Sequence, residues 1–550
     1  MAEEKSLLYK LEPLIKRFPA VQKPEGHVHF RSKLLWSLGA LVSYFVMSNV
    51  FIYGLASNTT DVFAQFRAIL AGSNGSLVHL GIGPIVTGSI IMQLFTGAKI
   101  IKLDLTDKQD KSIYQGTQKV LVVVMIFVEA VPQVFGFLQP SPEFKVKVGG
   151  SDDIARLLII LQLAVGSYIV FLLDEVVSKW GLGSGISLFI AAGVSQGIFT
   201  GSFNWLPPCP DQGYSIAQTC ASQQPPVANI PPGTLPRAIY LLSAYDTSHL
   251  VHGGGFETIF FETTNALVAF IGTVSIFLLV VYFESAKIEL PLAHGKVRGA
   301  RGRYPIRLFY ASNIPVILMA ALLANVNLIG LLMYQGPLRG LPLFGHDWLI
   351  SPANQGFLGV HWASFQGWVG TYLPRGVSSG STQPISGLAY YLSPLSGVQD
   401  WLLPFLNEQR YGGFVFLYRE PWQILVRMTM YGVAMIGGSI IFAKFWIETT
   451  NMGPDAVAKQ IQSSGMQIPG FRRDPRVVEK VLERYIPVVT VIGGAGVGAL
   501  AFSADLIGTV GNVSGTGVLL TVGILERMYE QIAKEQVMEM HPLLRGFFGE

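Results

Sequence analysis

The chain has 550 residues, 50% of them hydrophobic and only 13% charged, with a net charge of +4. A soluble protein carries roughly a quarter charged residues, so most of this surface meets lipid rather than water. The small net charge does not mark a nucleic-acid binder, and several uncharged apolar runs reach the ~20 residues that a helix needs to cross a bilayer.

Residues 5–16 place Leu7, Leu8, Leu11, Leu14 and Ile15 on one face with Lys5, Lys10 and Lys16 as flanks, the pattern of a short amphipathic helix lying on a membrane surface. The opening MAEEKSLLYKLEPLIKRFP is charged rather than apolar, so no cleavable leader is expected. The first span is predicted over 34–55. The stretch 61–71 follows, with Val62, Phe63, Phe66, Ile69 and Leu70 at helical spacing, and is too short to cross the membrane. Further spans are predicted over about 82–101, 117–138, 154–173, 183–200, 258–283, 309–333, 422–447, 485–502 and 508–526, ten in all. The loop 201–257 divides them into halves at 34–200 and 258–530, leaving 1–33 as an N-terminal segment and 531–550 as a tail. With five spans each, related halves are inverted relative to one another, an arrangement that places a functional site between them.

Orientation follows from charge. With an even number of spans and the N-terminus inside, roughly three quarters of the 39 Lys and Arg residues fall on the cytoplasmic side, as the positive-inside rule requires. Both termini are then cytoplasmic. The loops 201–257 and 334–421 lie outside; the first holds the two cysteines, Cys209 and Cys220, which form a disulfide or stay as two unpaired thiols. Metal-ligand spacing, a Walker loop and a nucleophile elbow are all missing from the sequence, so neither a cofactor, a metal site nor an enzyme is expected. GLGSG (181–185) and GGAGVG (493–498) sit at or inside predicted helices, with no preceding strand, and read as close helix packing rather than phosphate loops.

The run LGIGPIVTGSIIMQLFTGAKII (80–101) closely resembles the second spanning helix of SecY and of the alpha subunit of the eukaryotic translocon. The resemblance continues in LDEVVSKWGLGSGISLFIAAGVSQGIF (173–199), RGARGRYPIRLFYASNIPVIL (300–318), PGFRRDPR (469–476) and GTGVLLTVGILERMYEQ (515–531), in family order and with details nearer the archaeal branch. It implies an all-α clamshell of two inverted five-helix halves around a pore with an aliphatic waist. On this chain the waist falls at Ile82, Val86, Ile186, Ile190, Ile317 and Leu520. The i,i+4 spacing of 82/86 and 186/190 independently puts each pair on one helix face. The resemblance makes 61–71 a plug that blocks the pore from outside, and puts Thr87, Glu129 and Asn313 at a lateral gate between spans two and three and spans seven and eight. An ionisable group inside an apolar run, as at Glu129, is a functional candidate in its own right. Arg301, Arg303, Arg472 and Arg473 in two basic loops are expected to dock a translating ribosome through its RNA. The expected activity is passage of secretory polypeptides and sideways release of membrane helices in the cell membrane. Small SecE/gamma-type and beta-type membrane subunits are the implied partners. The alternative is a secondary transporter of small solutes, which calls for more polar groups at the midplane than this sequence offers.

Overall fold

A computed structural model describes residues 21–540 apart from 57–66, 207–229, 249–254, 295–300, 336–368, 373–383, 407–420, 468–474 and a few shorter gaps, together with 9 and 12–15. Ten long helices run through it: α1 (Phe30–Asn49), α2 (Gly83–Gly97), α3 (Lys108–Gly136), α4 (Asp152–Trp180), α5 (Gly185–Phe203), α6 (Leu267–Glu284), α7 (Ile314–Gln335), α8 (Pro421–Thr449), α9 (Pro475–Ile507) and α10 (Gly515–Met540). Each overlaps one predicted span. Helices α3 to α9 are long and apolar enough to cross a membrane by length and composition. Helix α2 is shorter, at 15 residues, but it is sheathed by protein: Gly83 to Gly88 are all buried. Helix α10 starts apolar and ends in a charged run.

Several helices outrun the predicted spans. α4 continues through Asp174, Glu175 and Lys179, and α9 begins ten residues early with Arg476, Glu479, Lys480 and Glu483. Charged residues end the apolar run without ending the helix, whose backbone bonds remain satisfied in water. In the other direction, Gly255–Phe260 forms a separate short helix, so α6 starts later than predicted. The predicted surface helix is described only as Glu12–Ile15, and Ile15 rests on Gly116 of α3 rather than on lipid alone.

Glycines set the closest helix contacts. A Cβ on Gly498 would lie 2.9 Å from the Ile436 Cα, and one on Gly494 3.1 Å from the Ile440 Cα, so GGAGVG is a seam between α8 and α9. The halves meet along two lines: α2 packs on α7 and α8, with α3 touching α7, while α10 packs on α5 and α1. An ion pair of 2.6 Å between Lys33 and Glu535 puts the start of α1 and the end of α10 on the same face.

The membrane body is all-α, as predicted; the loops add strands that the sequence did not announce. β1 (Lys287–His294) and β2 (Arg301–Arg307) form an antiparallel hairpin between α6 and α7. β3 (Thr371–Tyr372) and β4 (Pro384–Ser386) pair in the α7–α8 loop. β5 (Met466–Gln467), from the α8–α9 loop, pairs with the end of β1 and completes a three-stranded sheet.

The described part of the long loop 334–421 folds onto the C-terminal half. The Tyr372 hydroxyl lies 2.9 Å from Asn327 Oδ1 in α7, Arg427 of α8 donates to the Pro394 carbonyl at 2.9 Å, and Trp401 donates to the Leu506 carbonyl of α9 at 2.9 Å. Beneath it, buried Asp505 accepts from the Tyr431 hydroxyl at 2.6 Å and from the Thr516 hydroxyl at 2.9 Å, tying α8, α9 and α10 together.

Candidate functional site

The six waist residues come from the α1–α2 turn and from α2, α5, α7 and α10, and all belong to one contiguous apolar cluster. Ile82, Val86, Ile190, Ile317 and Leu520 are buried; Ile186 is half-buried and packs at the cluster's edge. A group of this kind, branched aliphatic side chains converging from both halves, offers nothing to bind a polar solute. It can exclude water and ions by dewetting.

Of the plug residues, Val62, Phe63 and Phe66 lie outside the described residues. Ile69 and Leu70 are buried in the same cluster as the waist. The Leu70 carbonyl accepts the Ile82 N–H at 2.8 Å, and the Ala71 carbonyl accepts the Tyr44 hydroxyl of α1 at 2.8 Å. Gly81 adopts φ +57° here, and a Cβ would lie 2.1 Å from the Leu70 carbonyl oxygen, so only glycine permits the approach. Behind this turn, Arg67 donates to the His79 carbonyl at 2.6 Å. His79 Nδ1 accepts the Gly75 N–H at 3.0 Å, which leaves Nε2 to donate to Gln133 Oε1 of α3 at 3.0 Å. Burial pushes the imidazole pKa down to about 3, the Arg67 charge acts in the same direction, and the Gln133 bond partly opposes them. His79 is therefore a neutral clasp between the plug turn and α3. The sequence reading passed over both residues, although a Gln inside the apolar run of span three was a visible signal.

At the predicted gate, Thr87 Oγ1 of α2 lies 2.9 Å from Glu129 Oε1 of α3, and Glu129 is buried. The third member is not Asn313. Asn325 of α7 donates to Thr87 Oγ1 at 3.2 Å, bridging the two halves. Asn313 stands twelve residues earlier, about 18 Å along a helix. Its carbonyl accepts from Val316 and Ile317 at the start of α7. Its side chain is pressed against Gly523 of α10, where a Cβ would lie 1.9 Å from Nδ2, and the amide makes no hydrogen bond among the described residues. The pair Asn325 and Asn327, polar residues inside an apolar span, was the signal that could have located the bridge.

Arg301 and Arg303 are two apart on β2, opposite Ala293 and Pro291 of β1. Arg472, Arg473, Cys209 and Cys220 lie outside the described residues. Pairing of β5 with β1 does bring the two basic loops into one sheet. Asp455, Glu479 and Glu483 bring carboxylate oxygens within 4.8 Å of one another near the start of α9. Asp455 and Glu483 are exposed and Glu479 half-exposed, so the group is a solvated acidic cluster at a helix entrance.

Ten long helices in two halves, meeting at an aliphatic core on which the non-spanning turn at Ile69 and Leu70 packs, fit a helical membrane channel. The comparisons agree. The SecY family model matches residues 76–529, and that of the plug domain of Sec61p matches 42–75. The chain belongs to the SecY family. It is 43% identical over 546 residues to the protein translocase subunit SecY of Archaeoglobus fulgidus, covering 99% of each chain. The Haloferax volcanii subunit is 44% identical over 542 residues, with 98% of each chain covered. Among solved structures, a protein-conducting channel aligns with a TM-score of 0.68 at 36% identity, over 97% of this chain and 98% of that one. Sec61 in a canine ribosome–channel complex from the endoplasmic reticulum aligns at 0.66 and 36%, with the same coverage.

Proposed function

We infer that this chain is the pore-forming subunit of a protein-conducting channel. It passes secretory polypeptides across the membrane and releases membrane helices sideways into lipid. The observation that carries this reading is the joining of the plug turn to the waist, with Leu70 both packed in the aliphatic cluster and bonded to Ile82. A constriction built this way holds no solute and resists ions while shut. Sideways release needs a seam that opens reversibly, and the Thr87–Glu129–Asn325 bridge supplies polar contacts of about 1 kcal/mol each across α2, α3 and α7. A segment facing that opening partitions by its own hydrophobicity, with a central charge disfavoured by about 2.5–3.5 kcal/mol.

The finer assignments belong to the same reading. The chain sits in the cell membrane with both termini cytoplasmic, supported by the distribution of Lys and Arg. SecE/gamma-type and beta-type subunits flank it, and signal sequences and nascent chains are its substrates. The hairpin arginines Arg301 and Arg303, with Arg472 and Arg473, dock the ribosome, since guanidinium groups suit phosphate-rich RNA.

Site-specific crosslinking tests the central claim. Single cysteines at Ile82, Ile190 and Leu520, in a background lacking Cys209 and Cys220, are challenged with a stalled secretory nascent chain. Adducts at all three, absent with a cytosolic nascent chain, are the expected result. Silence at all three positions would overturn the pore assignment.

A further inference from the structure

Helix α10 ends in a charged run that meets three other parts of the chain. Lys287 and Arg307, at the base of the β1–β2 hairpin, are direct cross-strand partners. Two like charges so placed repel one another and destabilise the pairing. Glu530 of α10 lies against both: its carboxylate is hydrogen-bonded to Arg307 and stands 3.8 Å from Lys287 Nζ. One turn earlier, Arg527 Nη2 lies 3.6 Å from Oε1 of Glu284, the last residue of α6. That carboxylate is buried, and its oxygens make no hydrogen bond among the described residues. Five residues beyond Glu530, Glu535 reaches Lys33 of α1. Arg527 and Glu530, three apart, share a helix face. Leu520 stands two turns before Arg527 on that same helix, and positions seven apart fall on nearly the same side.

We propose that Arg527 and Glu530 form a charged latch that fixes the angle of the β1–β2 hairpin on α10, making Glu530 a positioning residue for whatever docks on that hairpin. A two-stranded hairpin is at best marginally stable in water on its own, and β5 adds only two residues of pairing at the far end of β1. Its direction is therefore set at its base. Exposed ion pairs usually contribute little. Here, however, one carboxylate relieves the repulsion between two facing cations, and in the neighbouring Glu284–Arg527 contact the carboxylate is buried while the guanidinium is partly exposed. A hairpin held in place presents its backbone at a fixed angle, which spares a partner the cost of ordering it. Because Leu520 is on α10, the hairpin and the waist share one rigid element. The latch rests on geometry alone; its consequence for docking rests on the ribosome reading above.

The test uses the full chain with its partner subunits in vesicles, carrying a nitroxide label at Ala293 on β1. Glu530→Gln, Glu530→Arg, Arg307→Glu and the charge exchange Arg307→Glu/Glu530→Arg are compared for label mobility and for affinity toward purified non-translating ribosomes. Each single variant is expected to free the label and weaken ribosome binding about twofold to fivefold, the size of one lost, partly exposed ion pair. The exchange, which keeps the net charge of the trio, returns label mobility to that of the unmodified chain. Unchanged mobility in both Glu530 variants would overturn the latch, as would an exchange no less mobile than its parents. If the unmodified vesicles bind no ribosomes while the label still responds to Glu530, the docking reading fails and the latch stands.

Discussion

Ile82 donates its backbone N–H to the Leu70 carbonyl at 2.8 Å, so a residue of the proposed waist and one of the proposed plug are joined main chain to main chain. The bond forms at Gly81, whose positive φ turns the chain from plug into α2. The segment is thus held at one tight turn, with Tyr44 and His79 bonded on either side of it.

Tyr44→Phe removes the hydroxyl that donates to the Ala71 carbonyl while keeping the ring stacked on Phe189 at a 4.8 Å centroid distance. A hydrogen bond of this kind contributes about 1 kcal/mol net, so the unsealed population rises about fivefold. Resting ion conductance in planar bilayers measures this, and a conductance equal to that of the unmodified channel would show that the bond does not hold the plug.

His79 gives the seal a pH dependence with a definite sign. Its packed-state pKa of about 3 lies below the 6.5 of a free imidazole, so a released plug turn binds more protons between those values. The stabilisation is complete above pH 6.5 and is lost as pH falls toward 3. Resting leak should climb on acidification through that window, and His79→Gln should flatten the climb.

Asn325 of α7 and Asn313 just before that helix separate gate from packing. Asn325→Leu deletes the donor to Thr87 and loosens the seam by about 1 kcal/mol. In an insertion assay with segments of graded hydrophobicity, it should let less apolar segments enter the membrane. Asn313→Ala removes an amide that has no hydrogen bond among the described residues, and should leave the insertion threshold unchanged.

Asp505→Ala leaves the Tyr431 and Thr516 hydroxyls without their shared acceptor. Bonds to a carboxylate contribute about 1.5–3 kcal/mol each, so the C-terminal half should melt several degrees lower. The outer segment should also become easier to cleave: the Asp505 main-chain carbonyl, which accepts the Gly397 N–H from within that segment, stays in alanine but loses the side-chain bonds that hold it in place. A thermal scan and limited proteolysis read the two effects separately.

Hydropathy alone located all ten helices, because in lipid the demand for internally bonded, apolar segments leaves a strong linear signal. Helix ends escaped it: at Glu175 and at Glu479 the apolar run stops while the helix continues. The strands of the hairpin were hidden for a different reason, since KIELPLAH carries a proline and belongs to no apolar run. Within the site, the resemblance grouped the aliphatic residues that pack in one cluster, with i,i+4 spacing supporting only 82/86 and 186/190, and the resemblance alone grouped Thr87 with Glu129. Asn325 and Asn327 stood out as polar residues inside an apolar span, but which asparagine meets Thr87 depends on the rotation and height of α7. His79 and Gln133 were missed because their partnership spans a turn whose path depends on Gly81.

The short strand β5 bears on how the protein is made. It completes the sheet with β1, yet it is synthesised only after α7, the outer segment and α8. During its own biogenesis the chain therefore carries the hairpin as an unfinished edge until most of the C-terminal half has been threaded through the membrane. The finished sheet is a mark of near-complete assembly, and a partner that recognises three strands rather than two will pass over half-built channels.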